Sequence, residues 1–374
     1  MKTKRALTNG KIFSGYKLFE KSALLIDGEN IVGIVSENDI PADYIVEDVH
    51  GSNVCPGLID LQIYGTGNVL FSSELTAESI RSIEEDLLKQ GCTSFYLTLA
   101  TNTLEIFKDA GRVFNAAKPE VALGLHFEGP FLNSKKRGAH PEELIIEATD
   151  EAISDLLSTA ENSVKMMTIA PELVSDEAIK NLLARNILLS AGHSAATAKQ
   201  TAKFYERGIK TATHLWNAMS PFHHRDVGLP GEILLDKNLS ASIIVDGVHV
   251  DYETVALSKK LMGERLFLIT DAVGACEKGI YKHVFNQDHY ELPDGTLSGS
   301  SLSMLQAIKN CVNQVDIPLD EAIRMATLYP ANLIGRSDLG NLNAGAIANV
   351  LVFDQGFEVN QVIFRGKSVS AVTI

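Results

Sequence analysis

Four side chains able to do chemistry stand at the ends of short apolar runs: Glu128 closes "ALGLHFE", His193 closes "ILLSAGH", His214 closes "TATH" and Asp271 closes "RLFLITD". An ionised carboxylate buried without a partner costs several kcal/mol or takes up a proton, so a Glu at the end of a buried strand calls for a cation or an opening to water. One carboxylate and two imidazoles supply a divalent ion with three protein ligands and leave a fourth position for water, the arrangement of hydrolytic zinc sites. Such an ion brings the pKa of that water toward about 7 and polarises a carbonyl. Asp271, close by without being a ligand, is then placed to take the proton and return it to the leaving group. Singly, each residue has an ordinary structural role: a strand histidine can be a satisfied core residue, and a strand-end Asp can cap the next helix. Four of them, in the order Glu, His, His, Asp at the same ends of four strands, argue for a site.

Eight apolar runs could position them, at residues 54–64, 93–100, 122–129, 164–172, 187–194, 211–219, 241–250 and 265–273. Amphipathic stretches such as "LTAESIRSIEEDLLKQG" and "SDEAIKNLLARN" separate most of them, so strand and helix alternate. Parallel strands buried on both faces and joined by helices predict a (β/α)8 TIM barrel, whose active sites lie at the C-terminal ends of the strands. Gln62, Glu172, Asp246 and His249 stand at further strand ends. Alternation along the third run puts His126 on the same face as Glu128, either as an extra ligand or as a packing residue.

The whole chain limits what that site can serve. It has 374 residues, 45% of them hydrophobic, and a net charge of -14, which argues against nucleic acid or an anionic membrane as partner. An anionic small molecule would need a local cationic pocket. No apolar h-region follows the basic start and no run is long enough to span a bilayer, so a cytoplasmic enzyme is expected. Cys55, Cys92, Cys276 and Cys311 are scattered, which fits reduced thiols.

The wording of these segments resembles the amidohydrolase superfamily and, within it, the N-acetylglucosamine-6-phosphate deacetylases. The resemblance rests on "PGLIDLQIYG", "GLHFEGPFLN", "KKRGAH", "AGHS", "THLWNAM", "DGVHV", "TDAVGA", "DGTLSGSSLSM" and "GNLNAGAIANVLVFD". It implies a barrel over residues 54–340 flanked by a small β-sandwich domain built from residues 1–53 and 341–374. It implies metal ligation by Glu128, His193 and His214, with Asp271 as acid-base and His140 polarising the acetyl carbonyl. It further implies that Gln62, Asn217, Ala218, Arg225, His249, Ser301 and Leu302 contact an amino-sugar phosphate, the Arg loop reaching the site of a second subunit in a homodimer. The cofactor expected is one divalent ion, zinc first, with iron(II) or cobalt(II) accepted by the same ligands.

The sequence departs from the superfamily's pattern in places. His-x-His at the end of the first strand, which binds a second metal in many members, is Gln62-Ile63-Tyr64 here, so one metal is expected rather than two. Tyr64 stands where Gln-bearing members commonly have Asn. Asp226 follows Arg225 directly, His223 and His224 read as solvated loop residues, and "EKGIYKHVFNQDHYELPDGTLSGS" after the eighth strand reads as a hairpin near the barrel mouth. An amidohydrolase for another N-acyl or cyclic amide, and a catalytically silent barrel, are the alternatives.

Overall fold

The computed structural model describes residues 4–160 and 162–369. It falls into two compact units, one of Met1–Asp60, Glu85–Ser94 and Ser303–Ile374, the other of Leu61–Glu84 and Phe95–Leu302. Residues 1–3 and 370–374 of the expected terminal domain lie outside the described residues.

All eight expected runs carry a strand of one eight-stranded sheet: β1 Leu58–Ile63, β2 Cys92–Ala100, β3 Ala122–Glu128, β4 Val164–Ile169, β5 Leu188–Ala191, β6 Thr211–Ala212, β7 Ser240–Ile243 and β8 Leu266–Leu268. The spatial order is the sequence order, and the pairs from β2 to β8 are parallel. The ends of the sheet meet each other. Ile63 bridges Ala272 in parallel, Asp271 N donates to Gln62 O at 3.0 Å and Tyr64 N donates to Ala272 O at 2.9 Å, which closes the barrel.

Crossover helices hold the strands apart with ordinary local signals. Thr103 caps Leu104–Ala117 by accepting from Ile106 N, and the helix buries Phe107, Ala110, Gly111 and Phe114 at three- and four-residue spacing. Ser175 caps Asp176–Ala184 in the same way through Ala178 N. Past β8 the expected hairpin is a three-stranded antiparallel sheet, β9 Val284–Asn286, β10 His289–Glu291 and β11 Leu297–Ser300.

The other unit holds two sheets. One has four strands, from Lys4–Thr8 to Ile45–Asp48. The other has six and joins chain-terminal strands Val350–Phe353, Val359–Phe364 and Lys367–Ser368 to Lys11–Ser14, Lys17–Phe19 and Asn53–Pro56. Leu7, Ile12, Leu24, Ile26, Val350 and Val352 share its apolar core. The run expected as one strand over 54–64 is therefore two, Asn53–Pro56 in the terminal sheet and β1 in the barrel. At the break, Pro56, which ends the first strand, has no N–H for a ladder, and Gly57 packs so closely on Thr93 that a side chain there would clash with its hydroxyl.

Candidate active site

Several barrel strands stop short of their apolar runs because the polar residues at their ends leave the extended conformation. His193 (φ 46°), His214 (φ 36°) and Asp271 (φ 55°) all adopt left-handed backbone, at roughly 1–3 kcal/mol apiece for non-glycine residues. Neighbouring strands hold them there. Thr213 N donates to Ala191 O at 2.9 Å, His214 N to Ser242 Oγ at 2.8 Å and Leu215 N to Ser242 O at 2.8 Å. The turn of each chain aims the side chain across the barrel mouth.

There the side chains converge. Glu128 Oε1 lies 3.2 Å from His193 Nε2 and 3.1 Å from His214 Nε2, and the two imidazole nitrogens lie 3.1 Å apart. Four ligands at about 2.1 Å around a tetrahedral ion are separated by about 3.4 Å, so the triangle has the size of such a site. Glu128, His140 and His193 also bring one ligand atom each within 4.8 Å of one another. Hydrogen bonding at Nδ1 separates His193 from His140, while His214 Nδ1 is buried without a partner among the described residues. His193 Nδ1 faces Lys136 O at 2.9 Å, so it carries the proton and leaves Nε2 bare for a cation. His140 Nδ1 instead accepts from Thr101 N at 3.3 Å, which puts the proton of the neutral ring on Nε2, 3.0 Å from Glu128 Oε2. His140 is therefore a donor, and the donor set that fits an ion is Glu128, His193 and His214.

Gln62 and Tyr64 fill the corner beside it. Gln62 Nε2 lies 2.6 Å from Asp271 Oδ1 and 3.1 Å from Glu128 Oε1, and donates to Tyr64 OH at 2.9 Å, while Tyr64 OH donates to Glu128 Oε2 at 2.6 Å. Burial raises the Asp271 carboxyl above its ordinary value, with His214 opposing the shift and Glu128 adding to it. For Glu128, burial acts upward as well, but the His193 and His140 rings outweigh it and hold the carboxyl well below its ordinary value. His193 is lowered by burial and by the neighbouring His140. His214 is raised: burial opposes its charge, and the hydrogen bond and charge of Glu128 prevail.

The pocket over this centre is lined by His140, Asn217, Ala218, His249 and Asp271 among the expected residues. Asn217 Nδ2 is buried without a partner among the described residues. His249 Nδ1 lies 2.6 Å from Asp246 Oδ2, and both side chains are buried. Arg225 is exposed, bonds to His224 Nε2 through Nε at 3.0 Å, and is not part of the lining. Ser301 Oγ donates to Asp288 O at 2.6 Å and Leu302 N to Ser300 Oγ at 3.1 Å; the lining on that side is Leu297, Ser298 and Gly299. His126 lies inside the barrel, its Nδ1 3.0 Å from Leu61 O and Nε2 2.8 Å from Thr168 Oγ1, and burial lowers it to about 4. It packs and does not join the ligands.

Sequence reasoning missed Tyr281 and His283, both buried and both in the lining. Tyr281 OH donates to Thr101 O at 2.6 Å, and its ring stacks 6.0 Å from that of His283. Their alternate spacing before β9 was the available signal: residues two apart on an extended segment share a face.

The sequence matches the Amidohydrolase family over residues 53–369 and the NagA composite domain over residues 5–54. An N-acetylglucosamine-6-phosphate deacetylase from Haemophilus influenzae is 37% identical over 380 residues, covering 97% of this chain and 99% of that protein. The enzyme of that name from Homo sapiens is 33% identical, covering 97% of this chain and 94% of its own length. Among solved structures, N-acetylglucosamine-6-phosphate deacetylase from Pasteurella multocida superposes with a TM-score of 0.93 at 34% identity, covering 98% of this chain and 99% of that one. A point mutant of the Mycobacterium smegmatis enzyme, in complex with N-acetyl-D-glucosamine-6-phosphate, gives 0.90 at 27% identity, covering 99% of this chain and 100% of that one.

Proposed function

On the premise that this chain belongs to the amidohydrolase family, and within it to the N-acetylglucosamine-6-phosphate deacetylases, we propose that it hydrolyses the acetamide of N-acetylglucosamine 6-phosphate to glucosamine 6-phosphate and acetate. The observation that carries the reading is the meeting of Glu128 Oε1 with the Nε2 atoms of His193 and His214 beside Asp271, in a chain matched along nearly its whole length by proteins of that activity.

We assign the chemistry to residues 54–340, with 1–53 and 341–374 flanking them. Glu128, His193 and His214 would hold one divalent ion, for which zinc suits the donor set and iron(II) or cobalt(II) are chemically acceptable. Such an ion, when bound, supplies a water ready to lose a proton near neutral pH and withdraws electrons from the acyl oxygen. Asp271, raised by its burial, is a stronger base than an exposed aspartate; it takes the proton of the attacking water as the carbon–oxygen bond forms. It returns that proton to nitrogen as the carbon–nitrogen bond breaks. His140 offers its Nε2 proton to the acyl oxygen, where negative charge develops.

Asn217, whose amide nitrogen lacks a partner among the described residues, together with Ala218 and His249, receives the sugar phosphate. Arg225 supplies a guanidinium to phosphate oxygens; its exposed position suits a contribution to the pocket of a second copy in a homodimer. Gln62, Ser301 and Leu302 complete the contacts we assign. Among the described residues no helix is long and apolar enough to cross a membrane, all four cysteines are free, and we assign the enzyme to the cytoplasm.

Acetate release from N-acetylglucosamine with and without its 6-phosphate tests the reading. The phosphorylated sugar is expected to be the better substrate, and Asp271→Asn should cut its turnover by at least about 100-fold with metal content unchanged. Equal rates on the two sugars would remove the phosphate, and turnover by the Asp271→Asn variant within threefold of the parent would remove the acid-base role.

A further inference from the structure

Tyr64 follows directly on β1, and its side chain, 8% exposed, packs with Leu70, Val273, Tyr281 and Tyr290. A phenol has one proton to give and one strong site at which to accept. Tyr64 uses both, donating to Glu128 Oε2 at 2.6 Å and accepting from Gln62 Nε2 at 2.9 Å.

The two oxygens of Glu128 are thereby given different surroundings. Oε1 faces His193, His214 and Gln62, whereas Oε2 is held by Tyr64 and by His140 Nε2 at 3.0 Å. A carboxylate free to rotate could offer both oxygens to one cation and occupy a position that the attacking water needs. The second donor on Oε2 is not a permanent one: His140 cannot hold Glu128 and serve an acyl oxygen with the same proton. When His140 turns to the substrate, the Tyr64 hydroxyl is what remains on Oε2.

We infer that Tyr64 is a positioning residue of the metal centre: its hydroxyl clamps Glu128 so that Oε1 alone is offered to the ion, and it releases His140 to act on the substrate. The inference deepens the reading above and rests on its assignment of Glu128, His193 and His214 as ligands. Two observations carry it, the short Tyr64–Glu128 bond and the division of donors between the two carboxylate oxygens.

Tyr64→Phe deletes the hydroxyl and keeps the ring. The parent should take up one zinc. In the variant the zinc dissociation constant, measured by competition with a chromogenic chelator, should rise about 10- to 100-fold, as for other partners that orient a ligand. The visible bands of the cobalt(II)-substituted variant should weaken, because a second carboxylate oxygen raises the coordination number, and kcat should fall by a larger factor than KM rises. A variant that binds zinc within twofold of the parent, gives the parental cobalt spectrum and retains kcat within twofold overturns the inference while leaving the ligand assignment standing. A parent that takes up no zinc removes both. A second measurement needs no substitution: the infrared difference spectrum of the carbon-13 glutamate-labelled parent on adding zinc. Widely split carboxylate stretches, the mark of one-oxygen ligation, support the clamp, and narrowly split ones overturn it.

Discussion

The two ends of the pocket are built on different plans. At the hydrolytic end Glu128 alone is touched by Gln62, Tyr64, His140, His193 and His214, and Thr101 N and Lys136 O set the tautomers of two of the rings. At the recognition end Asn217 Nδ2 has no partner among the described residues, Arg225 is exposed and is not part of the lining, and His249 is held by Asp246. Groups that stabilise developing charge work best when folding has already oriented them, since no reorganisation is then needed at the moment of reaction. Groups that recognise an anion can be completed by the anion, or by a second copy of the chain.

On this division, substitutions at the first end change kcat and those at the second change KM. The largest effect is expected at His140. Removing one donor to the acyl oxygen costs about 100- to 1,000-fold in kcat, so His140→Ala should lose that much with KM near the parental value. Steady-state acetate release decides, and a change confined to KM would move His140 to the recognition end. Next comes Arg225→Ala. Loss of a charge-assisted contact of about 1.5–3 kcal/mol should raise KM for the phosphorylated sugar at least about tenfold, leave kcat near parental and leave the unphosphorylated sugar unaffected. Equal KM values for variant and parent would separate Arg225 from the phosphate.

The same contrast explains what the sequence revealed. Parallel barrel strands are buried on both faces, so they appear as continuous apolar runs, and every expected run contains one. The residues ending those runs are polar, and Glu128, His193 and His214 could be picked out for that reason. Three things left no such trace. The first run reads as one strand because Pro56 and Gly57 interrupt it without a polar residue, yet its halves belong to different sheets. Tyr281 and His283 precede β9, a short exposed strand with little apolar pattern. The tautomer of His140 is set by a backbone N–H of Thr101, 39 residues away in the chain, and backbone groups are the same whatever the sequence.

The smallest expected effect is the sharpest test of the recognition end, because it concerns a residue that reaches the anion only through another. Asp246 accepts from Val248 N at 2.9 Å and His249 N at 2.8 Å through Oδ1, and its Oδ2 holds His249 Nδ1 at 2.6 Å. Asp246→Asn can keep the backbone bonds and loses the charge, a difference of about 1 kcal/mol between a charged and a neutral hydrogen bond, or about fivefold in KM with kcat unchanged. Burial raises the Asp246 carboxyl, but its hydrogen bond from His249 and that ring's charge prevail and leave it below its ordinary 3.8. A carboxyl lowered on folding contributes stability that is present above its unfolded pKa and is lost as pH falls through the folded one. The parent should therefore melt above the variant at pH 7, and the gap in Tm should close as the pH is taken below about 3.8. A gap that persists unchanged in acid would show that Asp246 acts through packing, and His249 would then be as loosely held as the rest of its end of the pocket.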